Sequence, residues 1–178
     1  LGVKSFRGSE EDVLDRVLQA CRLAQADLIV ETTGDCPVIA PEVISKVISS
    51  FLSNEVDYCS NILEPTYPGG MDVQVFPLSV LEQVAILTQD PVDREHVSLY
   101  IYRHPERFRL LNVASNLPAE AAQLRLTVDT QEDFELIKKI YEFLYCTKPN
   151  FSLADILELC RIHPEFPLLN QHIQQKVV

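Results

Sequence analysis

The 178-residue sequence predicts an α/β fold with a mostly parallel sheet flanked by helices, organised as one domain over residues 1–178. Three observations carry that prediction. The run "ADLIVET" is almost continuously apolar, as in strands buried on both faces of a parallel sheet. Amphipathic stretches at helical spacing stand on either side of it. A helix and a second strand-like run, "VDYCSNI", then follow, which is the order of a right-handed βαβ unit.

The elements read off in sequence as follows. Ser9, with Asp12 three residues on, resembles a capping box and opens "EEDVLDRVLQACRLAQ", where Val13, Leu14, Val17, Leu18, Cys21 and Ala24 recur at helical spacing. After the strand "ADLIVET" comes the turn "TGDCPVI". Its Gly34 permits close backbone approach, and its Pro37 stops further strand pairing. Pro41 suits a first helical turn and starts "PEVISKVISSFLS". "PTYPGG" is a turn-rich loop leading into "MDVQVF", which alternates as a half-buried strand. Helical patterns cover 78–88 and 91–103, and "RFRLLNVA" and "QLRLTVD" are strand candidates. Thr130 caps the helix "TQEDFELIKKIYEFLY", with Asp133 three residues on. "SLADILELCRIHP" is a shorter helix, and the polar tail from Leu168 is expected to fray.

Composition narrows the function. A formal net charge of -11 argues against broad binding to nucleic acid or an anionic membrane. An anionic substrate then requires a metal ion or a local basic group. No apolar run approaches the ~20 residues that span a bilayer. Five cysteines, without a C-x-x-C pair, read as reduced thiols of a cytoplasmic protein.

Two acidic residues stand out by position. Asp35 lies just past the carboxyl end of "ADLIVE", and Asp129 ends "LRLTVD". Open α/β sheets bind ligands outside the carboxyl ends of their strands. Carboxylates converging there suit a hard cation such as Mg²⁺, which leaves room for substrate phosphates. Asp129 serves equally well as an acidic residue favouring the N-terminus of the next helix. "REHVSLYIYRHP" puts Arg94, His96 and Arg103 on one predicted helix, although Arg94 and His96 do not share a face.

Taken together, "FRGSEEDVLDR", "TGDCPVI", "VDYCSN", "TYPGGMDVQVF", "REHVSLYIYRHPERF" and "LRLTVDTQEDFELIKKIYE" resemble the cytidylyltransferases typified by spore-coat polysaccharide biosynthesis protein F. That group is similar to acylneuraminate and 3-deoxy-manno-octulosonate cytidylyltransferases. The resemblance implies a Rossmann-like nucleotide-diphosphosugar transferase fold. It also implies a reaction joining CTP to a sugar acid, a Mg²⁺ held by Asp35 and Asp129, and a homodimer. By the same resemblance His96, with Arg94 beside it, matches a residue contacting the sugar acid. Asp72 falls in the sugar pocket, and Asp15 and Arg16 fall near the nucleotide. The family often carries an acidic residue where Gln74 stands.

The family's opening strand and Q-A-R-x-G-S-x-R-x-P-G-K phosphate loop have no counterpart here. The resemblance therefore leads us to expect either the C-terminal portion of such an enzyme or a shortened homologue, with weak CTP binding by the isolated chain. A non-catalytic sugar-binding or dimerisation remnant is the alternative. The segment from "PTYPGG" to "RLLNVA" departs from βαβ alternation and is expected to build the dimer interface.

Overall fold

The computed structural model describes residues 2–174. Its strands are β1 (Leu28–Glu31), β2 (Tyr58–Ser60), β3 (Gln74–Pro77) and β4 (Leu110–Asn112). Its helices are α1 (Val13–Ala24), α2 (Pro41–Leu52), α3 (Leu78–Leu87), α4 (Pro91–Glu95), α5 (Leu99–Arg103), α6 (Gln131–Leu144) and α7 (Leu153–Ile162). Short 3₁₀ turns occupy Ala119–Gln123 and Pro167–Leu169.

The strands form one mixed sheet in the order β1-β3-β2-β4. β3 pairs antiparallel with both β1 and β2, and β2 pairs parallel with β4. Thus β1, β2 and β4 run one way and β3 alone is reversed. The expected α/β class with helices flanking the sheet holds, and so does the direction of the βαβ unit. The difference is that β3 inserts between its two strands. The half-buried alternation of "MDVQVF" suits that reversed position.

The chain forms two compact units, interleaved in sequence. The first takes the residues up to Glu31 together with Val47–Leu63 and Gln74–Val113, and so contains the whole sheet. The second takes Thr32–Lys46, Glu64–Val73 and the chain from Ala114.

In the first unit Leu14 and Leu18 of α1 join Ile29, Tyr58 and Phe76 of the sheet and Leu81 of α3 in one apolar cluster. The Tyr58 and Phe76 rings stack at 6.0 Å between centroids. Asp12, not Ser9, caps α1, accepting from the Asp15 amide at 2.9 Å; Ser9 accepts from Asp12 N one turn earlier. The helix expected over 91–103 is broken into α4 and α5. Buried Val97 stands between them with φ 44, a conformation costly for a β-branched residue. Arg94 and His96 therefore share α4 and its cap, and Arg103 belongs to α5.

The second unit is organised by a buried carboxylate. Thr130 and Asp133 form the expected capping box of α6, but Asp133 is 0% exposed and does more than cap. Its Oδ1 accepts from Arg125 Nε at 2.9 Å and Asn170 Nδ2 at 2.8 Å. Its Oδ2 accepts from Arg125 Nη2 at 3.1 Å and from the Asp129 and Thr130 amides at 3.0 and 3.1 Å. Burial alone would raise its pKa; hydrogen bonds from Arg125, Asn170 and the Asp129 amide outweigh burial and bring it to about 2. Asn170 also donates to the Arg125 carbonyl, so the segment after Leu168 is tied down where fraying was expected. Residues 175–178 of that tail lie outside the described residues.

"QLRLTVD" is extended but makes only an isolated parallel bridge, Gly69 with Arg125, where a strand was expected. Gly69 N donates to Leu124 O at 2.9 Å, and Leu126 N donates to Gly69 O at 2.8 Å. Here lies the close approach expected of Gly34. A Cβ on Gly34 would meet nothing within 4 Å, whereas one on Gly70, at φ +92, would sit 2.7 Å from the Leu126 carbonyl carbon.

Two stability predictions follow from these contacts. Gly70→Ala should cost about 2 kcal/mol or more, from positive φ and backbone collision together; an unchanged urea midpoint would refute the close approach. Asp133→Asn should cost about 2–3 kcal/mol at pH 7, because it removes the buried charge that Arg125 meets and leaves Asp129 as the ionic partner of that half-buried guanidinium. The native carboxyl ionises near 2 against an ordinary 3.8, so its stabilisation is complete above about pH 4 and fades as the pH falls toward 2. The gap between wild type and Asp133→Asn in urea melts should accordingly narrow at pH 2.5, and a constant gap would show that the charge is not responsible.

Candidate active site

The turn "TGDCPVI" leaves β1 and enters the second unit. Cys36 N donates to Thr33 O and Ile39 N to Cys36 O, which closes the turn on itself. Outside contacts then fix it. Val128 N and Thr127 Oγ1 donate to the Asp35 carbonyl at 2.9 and 3.2 Å, and the Tyr141 hydroxyl donates to the Pro37 carbonyl at 2.9 Å. The turn bearing Asp35 is thereby hydrogen-bonded to the segment that ends in Asp129. The two residues singled out from sequence lie in one unit, on segments joined by these hydrogen bonds.

Their carboxyl groups have different surroundings. Asp35 is exposed. Burial pushes its pKa up, but hydrogen bonds from Thr33, its own backbone, Cys36 and Thr127 outweigh that and hold it below the usual carboxylate range. Asp129 is also exposed, and its Oδ2 accepts from Arg125 Nη2, the arginine that Asp133 holds. The half-buried Asp72 is shifted the opposite way to Asp35, upward through burial and then through the Asp35 charge. Asp72 thus feels the Asp35 charge, a pairing that local sequence pattern does not reveal. Cys36 is no nucleophile: burial pushes its thiol up to about 11, and Asp35 and Asp72 reinforce this.

The donor set suits a hard divalent cation. It offers carboxylate oxygens from Asp35 and Asp129, the hard ligands that such cations take. Among the described residues no three His, Cys, Asp or Glu side chains gather as a metal cage. Two protein carboxylates, with phosphate and water completing the shell, is a pattern that Mg²⁺ accepts.

The other residues expected at the site belong to the first unit. Arg94 is committed: its Nε donates to both Asp12 oxygens at 3.0 Å, and its Nη1 donates to Ala85 O at 3.3 Å. That ion pair ties α4 to the start of α1. Asp15 sits in the first turn of α1 and accepts from Gln19 at 3.2 Å. Arg16 Nη1 donates to the Ser9 and Glu10 carbonyls. His96 is exposed at the C-terminal cap of α4, directly before strained Val97. Sequence reasoning missed Arg125 and Asp133, which set the environment of Asp129, and Glu31 at the end of β1. An acid closing the apolar run "LIVE" was the one available signal for Glu31.

Comparison with known proteins identifies the family. A family model for cytidylyltransferases matches residues 1–162. An uncharacterized protein of Methanocaldococcus jannaschii is 33% identical over 181 residues, covering 99% of this chain and 70% of that protein. The spore coat polysaccharide biosynthesis protein SpsF of Bacillus subtilis is 32% identical over 164 residues, covering 92% of this chain and 67% of its own length. A cytidylyltransferase structure from Leptospira borgpetersenii superposes with a TM-score of 0.88 at 31% identity, covering 99% of this chain and 71% of that one. No helix among the described residues is long and apolar enough to cross a membrane. The chain belongs to the cytidylyltransferase family.

Proposed function

We propose that the chain transfers the cytidylyl group of CTP to a sugar acid destined for a surface polysaccharide, giving a CMP-sugar and pyrophosphate. The observation that carries this reading is the hydrogen bonding of the Asp35 turn to Thr127 and Val128, which holds two carboxylates on adjoining backbone. In the reaction a sugar hydroxyl oxygen bonds to the α-phosphorus of CTP. The bond from that phosphorus to the oxygen bridging to the β-phosphate breaks, and pyrophosphate leaves with the electron pair. The hydroxyl proton passes to solvent.

Asp35 and Asp129 are the residues that would hold Mg²⁺; when bound, the ion supplies Lewis-acid stabilisation of phosphate charge and lowers the pKa of the attacking hydroxyl. Asp35 suits this work because its hydrogen bonds keep it ionised without occupying it with a cationic side chain. Thr127, Val128 and Tyr141 hold its turn in place. Arg125, buttressed by Asp133, orients Asp129. His96, exposed beside strained Val97, is read as a contact for the sugar acid. Arg94 acts through the Asp12 ion pair, holding the helix that carries His96.

The test is pyrophosphate release by the full-length protein with CTP, Mg²⁺ and a panel including 3-deoxy-manno-octulosonate and N-acetylneuraminate. Asp35→Asn and Asp129→Asn should each lower kcat/KM by about 10²–10³ while leaving circular dichroism and Tm nearly unchanged. Chelation with EDTA should abolish turnover, and added Mg²⁺ should restore it. Full turnover in EDTA, or by Asp35→Asn, would reject the reading.

A further inference from the structure

The sheet register aligns four polar residues in one row. Glu31 of β1 faces Gln74 of β3, Gln74 faces Ser60 of β2, and Ser60 faces Asn112 of β4. Glu31, Ser60 and Asn112 are each the last residue of a strand running in the common direction, so the row lies along the carboxyl edge of the first unit's sheet. Ligands of open α/β sheets bind at such an edge.

Within the row Gln74 has its orientation fixed. The Tyr58 hydroxyl donates to Gln74 Oε1 at 2.7 Å, and the Ser98 hydroxyl donates to the same oxygen. The carbonyl end is thereby taken by two donors, which leaves the amide N–H groups as the end that can meet a ligand. Glu31 is the opposite case. Its Oε2 is buried and has no hydrogen-bond partner, while the residue as a whole is half-buried. The ionisable groups it feels are Cys21 from α1, Tyr58 from β2 and Tyr102 from α5, none of them cationic. A buried carboxyl oxygen without a donor is costly, and an O–H donor brought by a ligand would remove that cost. Side chains directly opposite on neighbouring strands stand about 5 Å apart, a spacing that one sugar ring can bridge.

We propose that this row reads a polyhydroxylated sugar, the Glu31 carboxylate accepting a sugar O–H and the Gln74 amide donating to a neighbouring sugar oxygen. This rests on the sugar cytidylyltransferase reading and adds the residues that recognise the acceptor. It has a consequence for pH. Burial raises the Glu31 carboxyl to about 7, so near neutrality it is partly protonated. A ligand that donates to it favours the ionised form, so sugar binding releases a proton and tightens as the pH rises. A one-unit drop in the Glu31 pKa on binding corresponds to about a tenfold gain.

The experiment is titration calorimetry of the full-length protein with 3-deoxy-manno-octulosonate and N-acetylneuraminate at pH 6 and pH 8, in buffers of different ionisation heat. Wild type should bind at least one probe about fivefold tighter at pH 8 than at pH 6, with proton release. Glu31→Gln should lose that pH response and keep its CTP affinity within about twofold. Gln74→Ala should weaken the sugar about tenfold while keeping the pH response. Sugar binding that is flat or weaker at pH 8, or a pH response that survives in Glu31→Gln, overturns the inference and leaves the cytidylyltransferase reading intact. Binding with the expected pH response but no pyrophosphate release from CTP upholds the row and rejects that reading. Failure of both probes to bind overturns the row.

Discussion

The second unit depends on one interaction, the burial of Asp133 with every donor it needs. A carboxylate removed from water is tolerated only when its lone pairs are satisfied and its charge is matched. Arg125 supplies the charge, while Asn170 and the amides of Asp129 and Thr130 complete the shell. Those donors come from the extended segment at Arg125, from the adjoining Asp129–Thr130 backbone and from Asn170 beyond α7. The carboxylate therefore fixes the extended segment before α6, the start of α6 itself and the chain beyond α7 in one step. Asp129 inherits its position from this arrangement, because its own amide is among the donors and its side chain meets Arg125.

That dependence also explains what was legible in the sequence. Thr130 and Asp133 announce a capping box by spacing alone, and the structure forms it. The wider role of Asp133 is tertiary: Arg125 lies in a segment that reads as a strand, and Asn170 in a tail that reads as fraying. Local pattern reports which residues favour an element, not which polar side chain waits across the unit. The same limit governs α4 and α5. Apolar spacing over 91–103 is continuous, yet Asp90 caps one short helix and Val97 breaks the chain before the next. The turn "TGDCPVI" was legible because Pro37 and the end of an apolar run are local signals. Its glycine was misread for the complementary reason. Close approach depends on what lies opposite, and the segment with backbone opposite it is Gly69–Gly70, against Leu124–Leu126.

The sheet shows how a short insertion changes pairing without changing class. β1, β2 and β4 keep the common direction expected of a βαβ chain, and β3 enters reversed between two of them. This gives β3 neighbours on both sides. It also carries Gln74 to the carboxyl edge, where the first residue of a reversed strand meets the last residues of its neighbours. Neither strand content nor apolar alternation contains that information. It arises only once the order of strands is known.

A buried acid, Asp133, and a half-buried one, Glu31, show opposite outcomes of the same physics. Low dielectric magnifies whatever surrounds a carboxyl group. Around Asp133 it magnifies five donors, so the group ionises near 2 and serves as a structural anion. Around Glu31 it magnifies the lack of donors, so the group holds its proton to about 7. A fold gains nothing from leaving the second state in place: an apolar residue at the same point would pack against Tyr58 and Cys21 without the penalty. An orphaned acid therefore carries a cost that packing does not explain, and sites that bind ligands are where such costs are retained. Asp133 is satisfied by the chain's own hydrogen bonds, whereas Glu31 Oε2 is left without a donor, and that difference is what the proposed sugar contact addresses.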